Sequence, residues 1–510
     1  MLLGTAWNLQ SLPRSIVLSK MQPCEHFVNG RFAQITAPLL IQHKYRNGVA
    51  NNWDSDIQMF QVSVFGLGRV GLATAVCLAK KGYRVVGVDV DSNTVKAIQE
   101  GKSPFFEPRL EAYLKEVVSS KTFTATVDSC QSSDSDIAYI TVGTPSNPDG
   151  TINLRYVEAA AVNIGESLLN KHKYQLIVVK STVIPGTTRN RVRPAIEKSS
   201  GRVYGAEFGI CTSPEFLREG HAIEDTENPD RIIIGSDDTH AAGKLATFHR
   251  KFTPSVPPER VILTTPENAE LVKYANNAFL ATKISLINSI ASIAERVPNA
   301  DVTVIAKGIG LDVRIGPQFL NAGLGWGGSC FPKDLKALVE FSVECGCDPQ
   351  LIRATTETNQ KQPMKAIEFA RQGLGQLEGK RIAILGLSFK PDTDDMREAV
   401  STSVINGLLV EGADVVAYDP AALQTAKGIF KDRIEYAINS DACLNGADLA
   451  ILTTEWEEFK KLEPTDFLGL MRTPMVFDGR RIYDPEKMRR AGVTFGAIGL
   501  SPSQTSRIMI

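Results

Sequence analysis

From Phe60 onward, apolar and polar positions alternate between two textures. Short apolar runs rich in β-branched residues occupy Gln61–Phe65, Tyr83–Val88, Asp136–Val142, Leu176–Val179 and Arg231–Ile234. Between them lie stretches with apolar residues three and four apart, beginning with Val70–Lys80, the spacing of a helix with one buried face. This order predicts an α/β fold with a doubly wound parallel sheet. A longer helical pattern, Asn268–Arg296, contains neither Gly nor Pro and exceeds an ordinary globular helix, so it is expected to bridge domains. After Gly379 the first texture returns, with strands expected at Lys380–Leu385, Asp414–Tyr418, Asp448–Thr453 and Pro474–Phe477 and a helix near Ser401–Glu411. The expected architecture is two Rossmann-like lobes, 59–265 and 379–510, joined by a central helical region, 266–378.

Residues 1–58 lack this periodicity. Up to Trp53 they hold five basic residues and one acid, Glu25, and the reading is a disordered extension. A transit peptide, or translation from Met59, are the alternatives.

The 510 residues balance 56 Lys+Arg against 57 Asp+Glu, which argues against duplex nucleic acid or an anionic membrane as a bulk electrostatic partner. Hydrophobic residues make up 43% and charged residues 22%, the proportions of a globular chain, and no apolar run approaches the length of a membrane span. Eight cysteines are scattered without C-x-x-C spacing, and with six histidines they form no metal-ligand pattern. The expectation is a cytoplasmic protein with reduced thiols and no metal.

Candidate chemistry concentrates at four places. Gly66-Leu67-Gly68-Arg69-Val70-Gly71 follows the first strand and opens a helix. Gly66 permits a tight turn, Gly68 lets backbone approach a pyrophosphate, and Gly71 allows close helix–sheet packing. Asp89 ends the second strand, where a carboxylate accepts ribose hydroxyls and repels a 2′-phosphate, so the cofactor read here is NAD. Cys330 lies in the glycine-rich run Gly325–Asp334 beside Lys333 and Asp334, a setting in which a neighbouring cation would populate the thiolate. A thiol beside a dinucleotide site permits capture of an aldehyde as a thiohemiacetal, further oxidation to a thioester, and hydrolysis. Thr212–Gly220 places Glu215 and Glu219 four apart, on one side if helical, and Lys273 and Asn277 share a face of the long helix, where ammonium and carboxamide could stabilise an oxyanion.

Together these motifs, with VGTP at 142–145, SPEFLREG at 213–220, ELVKYANN at 270–277, GGSCFPKD at 327–334 and GLSFKPDTDDMRE at 386–398, resemble the UDP-glucose/GDP-mannose dehydrogenase family over about 60–499. The resemblance implies NAD-dependent oxidation of the C6 alcohol of a nucleotide sugar to a carboxylate. It implies Cys330 as nucleophile, Lys273 and Asn277 as stabilisers of developing charge, Asp334 with Thr144 as holders of water or a proton chain, and Glu215 as general base for thioester hydrolysis. Gly66, Gly68, Val70, Gly71, Asp89, Thr144, Glu219 and Arg397 would meet the cofactor. Glu215, Phe216, Leu217, Lys273, Asn277, Arg314, Phe319, Gly327, Phe389, Lys390 and Arg480 would meet the substrate. Members are dimers or larger, built around the long helix, with a residue like Arg314 crossing into the neighbouring site. Leu311–Gly316 and Phe319–Gly323 resemble the UDP-glucose branch, and Ser329 stands where N-acetyl-hexosamine enzymes tend to carry His. GDP-mannose is the alternative substrate, and a non-catalytic nucleotide-sugar-binding protein the alternative of another class. Two departures are Arg69, where Tyr is usual, and Trp326, where Phe or Tyr is common beside the sugar.

Overall fold

The computed structural model describes residues 60–169 and 173–501; the expectations for residues 1–58 lie outside the described residues. Two parallel-rich sheets organise the chain. The first runs β3 (Phe123–Thr126), β2 (Arg84–Val88), β1 (Gln61–Phe65), β4 (Ile137–Ile140), β5 (Gln175–Val179), β6 (Phe208–Thr212), β7 (Ile232–Gly235), β8 (Val261–Thr264). The reversal between β1 and β4 is the topological switch point of a doubly wound sheet, above which ligands bind. Because both faces are covered, β4, β5 and β6 are buried at every position; β4 and β5 read as nearly continuous apolar runs, whereas β6 is interrupted by Gly209.

The sheet departs from full parallelism at one junction, where Thr212 of β6 pairs with Gly235 of β7 antiparallel. The β6–β7 connection travels along the top of the sheet, carrying Ser213–Gly220, and returns without a crossover to the bottom edge.

The second sheet has the order β11 (Glu435–Tyr436), β10 (Asp414–Tyr418), β9 (Arg381–Leu385), β12 (Leu449–Leu452), β13 (Met475–Asp478), β14 (Thr494–Ala497), parallel throughout. Its first turn repeats that of the first sheet. Gly66 (φ +93°) and Gly386 (φ +99°) each donate N–H to the neighbouring strand, to Val88 O and Tyr418 O at 2.8 Å. Leu67 N donates to Asp89 Oδ2 at 2.6 Å, and Leu387 N to Asp419 Oδ2 at 2.7 Å.

Among the helices that flank the sheets or link them are α1 (Arg69–Lys80), α2 (Arg155–Leu168), α3 (Thr239–Phe252), α4 (Pro266–Ala294), α5 (Phe331–Glu344), α6 (Gln350–Lys361) and α7 (Val400–Val410). The 29-residue α4 is long and apolar enough to cross a membrane by length and composition alone. Here it is a core helix: it packs on α5, α6 and β7 and buries Glu270, Lys273, Asn277 and Asn288. Charged groups at such positions are stabilised by neighbouring protein groups, which lipid would not supply.

Candidate active site

A cleft of about 760 Å³ opens above the switch point of the first sheet. Its floor is the glycine turn. A Cβ on Gly66 would lie 2.8 Å from Val142 Cα, and one on Gly71 would lie 1.8 Å from Gly66 O, so both positions exclude any side chain. Gly68 instead faces open space, the cradle a pyrophosphate needs. Gly66, Gly68, Val70, Asp89, Thr144, Glu219 and Arg397 line the cleft, whereas Gly71 packs behind it. Asp89 accepts from Leu67 N at 2.6 Å and Asp91 N at 3.0 Å, which aims its carboxylate at the end of β2. These residues fit NAD.

The matching residue of the second lobe does not. Asp419 is fully buried and accepts from the backbone of Leu387, Ser388, Ala421 and Ala422 and from the Trp456 indole, so no lone pair is left for a ribose. One of the two lobes is built to take a dinucleotide.

Cys330 Sγ lies in the far wall of the same cleft, with Glu215, Ser329 and Lys333. The glycine-rich run before it is tied from below. Asn288 Oδ1 accepts from Gly323 N at 2.8 Å, Asn359 bonds both backbone groups of Trp326 at 2.8 Å, and Gln362 donates to Gly323 O at 2.8 Å. Trp326 itself is buried and donates Nε1–H to Ser285 Oγ at 3.0 Å, so it supports the loop from within the core.

Behind the thiol, α4 presents a buried polar stripe at helical spacing: Glu270, Lys273, Tyr274 and Asn277. Lys273 Nζ sits 2.9 Å from Glu215 Oε1, and Asn277 Nδ2 donates to Asp334 Oδ2 at 2.6 Å. Lys333 Nζ bonds Asp334 Oδ1 at 2.6 Å and Thr144 Oγ1 at 3.3 Å, and Thr144 Oγ1 donates to Thr182 O at 2.9 Å. Cys330, Lys273, Asn277, Asp334, Glu215 and Thr144 thus converge from four segments of the chain.

Two expectations need correction. The stretch Ser213–Glu219 is not helical, and its two carboxylates part company: Glu215 turns to Lys273, and Glu219 Oε1 accepts from Ser329 Oγ at 2.7 Å. Nor does Lys333 prepare a thiolate, because it is engaged by Asp334. The cation felt by Cys330 is Lys273, yet burial outweighs it, aided by the Glu215 and Asp334 charges, and the thiol is pushed up to about 11. Desolvation favours the neutral form even at the N-terminus of α5. Glu215 moves the other way: although burial opposes it, Lys273 first and a backbone N–H next hold its carboxyl below the usual range.

The remaining predicted residues divide. Leu217 lines the cleft, and Phe216 lies beneath the Arg231 guanidinium at 3.8 Å. Gly327, Phe389, Lys390 and Arg480 lie outside the cleft lining, around the cysteine loop. Gly327 packs on Glu398 O, Gly328 packs on the Phe389 ring, Arg480 Nη1 donates to Gly325 O at 3.0 Å, and burial pulls the Lys390 ammonium down. Phe319 (φ +63°) is half-buried outside the cleft, and Arg314 is exposed and paired with Asp312 at 2.6 Å. Lys180, at the C-terminal end of β5, also lines the cleft, although no motif marks it; burial brings it down to about 8. The signal for it is a charged residue closing an otherwise apolar central strand.

Comparison with known proteins agrees with this geometry. Models of the UDP-glucose/GDP-mannose dehydrogenase family match at 60–253 (NAD binding domain), 267–361 (central domain) and 383–485 (UDP binding domain). A UDP-glucose 6-dehydrogenase of Haloferax volcanii is 41% identical over 438 residues, 86% of this chain and 100% of its own length. One from Bacillus subtilis is 42% identical over 443 residues, 86% of this chain and 93% of its own. The solved UDP-glucose dehydrogenase of Pyrobaculum islandicum superposes with a TM-score of 0.81 at 37% identity, covering 89% of this chain and all of that one. A UDP-D-ManNAc dehydrogenase from Pyrococcus horikoshii follows at 0.75 and 28%, covering 86% and 99%.

Proposed function

The chain belongs to the UDP-glucose/GDP-mannose dehydrogenase family, and from that premise we propose that it is an NAD-dependent UDP-glucose 6-dehydrogenase releasing UDP-glucuronate. The observation that carries this is one cleft with an NAD-fitting glycine turn on one wall and Cys330, backed by the Lys273–Glu215 pair, on the other. The 41–42% identity to UDP-glucose enzymes, against 28% to the acetyl-sugar enzyme, supports the choice of sugar.

NAD bound in the cleft supplies the acceptor for the two electron pairs that separate alcohol from carboxylate. The chain's own residues do the rest. Cys330 Sγ adds to the aldehyde carbon, and its proton passes to the former carbonyl oxygen, giving a thiohemiacetal that keeps the aldehyde in the site. The same sulfur later carries the acyl group as a thioester. Lys273 and Asn277, one helical turn apart, offer an ammonium and a carboxamide N–H to the oxygen that gains charge. Glu215, ionised beside Lys273, takes the proton of the water that cleaves the thioester. Asp334 holds Asn277, and through Lys333 holds Thr144.

The test is stoichiometric. Two NADH per sugar are expected at completion, and one would overturn the four-electron scheme. C330A should abolish turnover, whereas C330S should leave an oxygen ester on the protein, visible as an intact mass increase. If GDP-mannose is turned over with the higher kcat/KM, the sugar assignment falls while the chemistry stands.

The assembly belongs to the same reading. Phe279, Leu286 and Ile293 recur every seven residues along α4 and are 68%, 56% and 58% exposed, a stripe suited to a second copy. Arg314 would then reach the neighbour's site. The three-part division at 59–265, 266–378 and 379–510 goes with it. The seven described cysteines are free, which suits work in the cytoplasm.

A further inference from the structure

Arg69 opens α1 within the glycine turn, and its side chain bridges the first lobe and the segment at Asp394–Asp395. Nη2 lies 2.6 Å from Asp394 Oδ1, and Nη1 donates to Phe106 O at 3.1 Å. The guanidinium stands 4.8 Å from the Phe105 ring centre, with Nε 3.7 Å from Glu219 Oε2 and 4.0 Å from Asp395 Oδ2. Asp394 is held a second time, its Oδ2 accepting from Phe106 N at 3.3 Å. The neighbouring Asp395 grips Arg397, whose Nε lies 3.0 Å from both carboxylate oxygens. Arg69 and Arg397 both line the cleft. The segment carrying Arg397 is thereby fastened across the mouth of the cofactor cleft to the loop at Phe105–Phe106.

This pair is unlike an exposed ion pair. The Arg69 and Asp394 side chains are 17% and 25% exposed, and the guanidinium is stacked and bonded on several sides, so solvent screens it little. Its position also matters in time. Under the proposed function, each sugar uses two NAD molecules, and only one lobe is built for a dinucleotide. Cofactor must therefore leave and be replaced while the sugar stays on Cys330.

We propose that Arg69 is a positioning residue, and that its ion pair with Asp394 is a latch holding Arg397 over the cofactor and setting the rate at which cofactor leaves. The cysteine loop touches this segment through Gly328 N, which donates to Arg397 O at 3.0 Å, but it is also anchored by Asn288, Asn359, Gln362 and Arg480, so four ties to the loop remain when the Arg69–Asp394 pair opens. The proposal rests on the cofactor reading of the cleft but not on the identity of the sugar.

The test is the dissociation rate of NADH from the full-length protein, followed by stopped-flow fluorescence without sugar. R69M and D394N should each speed dissociation roughly tenfold, the size expected for losing a charge-assisted hydrogen bond. The double variant should be no faster than the faster single, because both remove one interaction. D394N leaves the stack on Phe105 in place and so separates the ion pair from packing, and R69K should recover part of the wild-type rate. Unchanged rates, or effects that multiply in the double variant, would overturn the latch. A wild-type protein that binds no NADH would overturn the cofactor reading itself, and the latch with it.

Discussion

Cys330 shows how a residue can be legible in kind and illegible in state. Its place among glycines and charges makes it a candidate nucleophile, the role that the family resemblance implies. That its thiol is neutral follows only from burial, which outweighs Lys273. With a value of about 11, on the order of one molecule in ten thousand carries thiolate at pH 7 in the ligand-free protein. Alkylation by iodoacetamide is therefore expected to be slow at pH 7 and to accelerate about tenfold per pH unit up to pH 10. A rate that levels off near pH 8 would show that Lys273 governs the thiol after all. His249 illustrates the opposite sign. It is buried on α3, neither ring nitrogen is hydrogen-bonded among the described residues, and burial pulls it down to about 3. Its folded value lies below the unfolded one, so the associated stability is intact above about pH 6.5 and drains as pH falls through about 3. Between pH 6 and 4 the unfolding free energy of wild type should fall faster than that of H249F, by about 1.4 kcal/mol per pH unit, as measured by urea titration.

Among the elements, legibility follows the length and continuity of the apolar pattern, so β4 and β5, buried at every position, are read as apolar runs. The helices α1 and α4 emerge from the spacing of their apolar residues within two residues of their ends. β3, β6 and β8 have no such signature in the sequence. β6, Phe208–Thr212, is buried on both faces and carries Gly209, whose missing side chain leaves room for the Tyr174 hydroxyl, so nothing in it alternates. The return of β7 antiparallel is equally silent, because strand direction is decided by where the connection runs and not by the strand's own residues. The polar stripe of α4 is the most informative signal, since four polar residues on one face of an otherwise apolar helix require partners from elsewhere. Asn277 and Asp334 are such partners, one from α4 and one from α5. N277D would set a second carboxylate against Asp334 Oδ2. It is expected to lower the melting temperature by several degrees and kcat by about a hundredfold, whereas N277A should spare the melting temperature more than kcat. Steady-state kinetics paired with thermal denaturation separate the two, and equal melting temperatures for both variants would rule out the carboxylate clash.

For the whole molecule, the residues that sequence pattern marks but the fold leaves outside the cleft are the ones that argue for a second copy. Arg314 is exposed, bonded only to Asp312 among the described residues, and absent from the lining of its own cleft. The apolar stripe Phe279, Leu286, Ile293 is exposed on the helix that carries Lys273 and Asn277, so an interface there would brace the catalytic helix from its other side. In the proposed dimer, isologous pairing would put each copy's α4 against the other and give each site one chance to borrow a residue. Complementation distinguishes borrowing from mere contact. C330A and R314A should each be inactive alone. Co-expressed in equal amounts, about half of the dimers are mixed, and each mixed dimer has one site with both Cys330 and a neighbour's Arg314, so about a quarter of wild-type specific activity should return. No recovery, with dimers still present by light scattering, would place Arg314 in its own subunit's chemistry. F279E combined with L286E should yield monomers with little activity, because separation would remove Arg314 from the neighbouring site proposed for it. Fully active monomers would show that each chain is complete by itself.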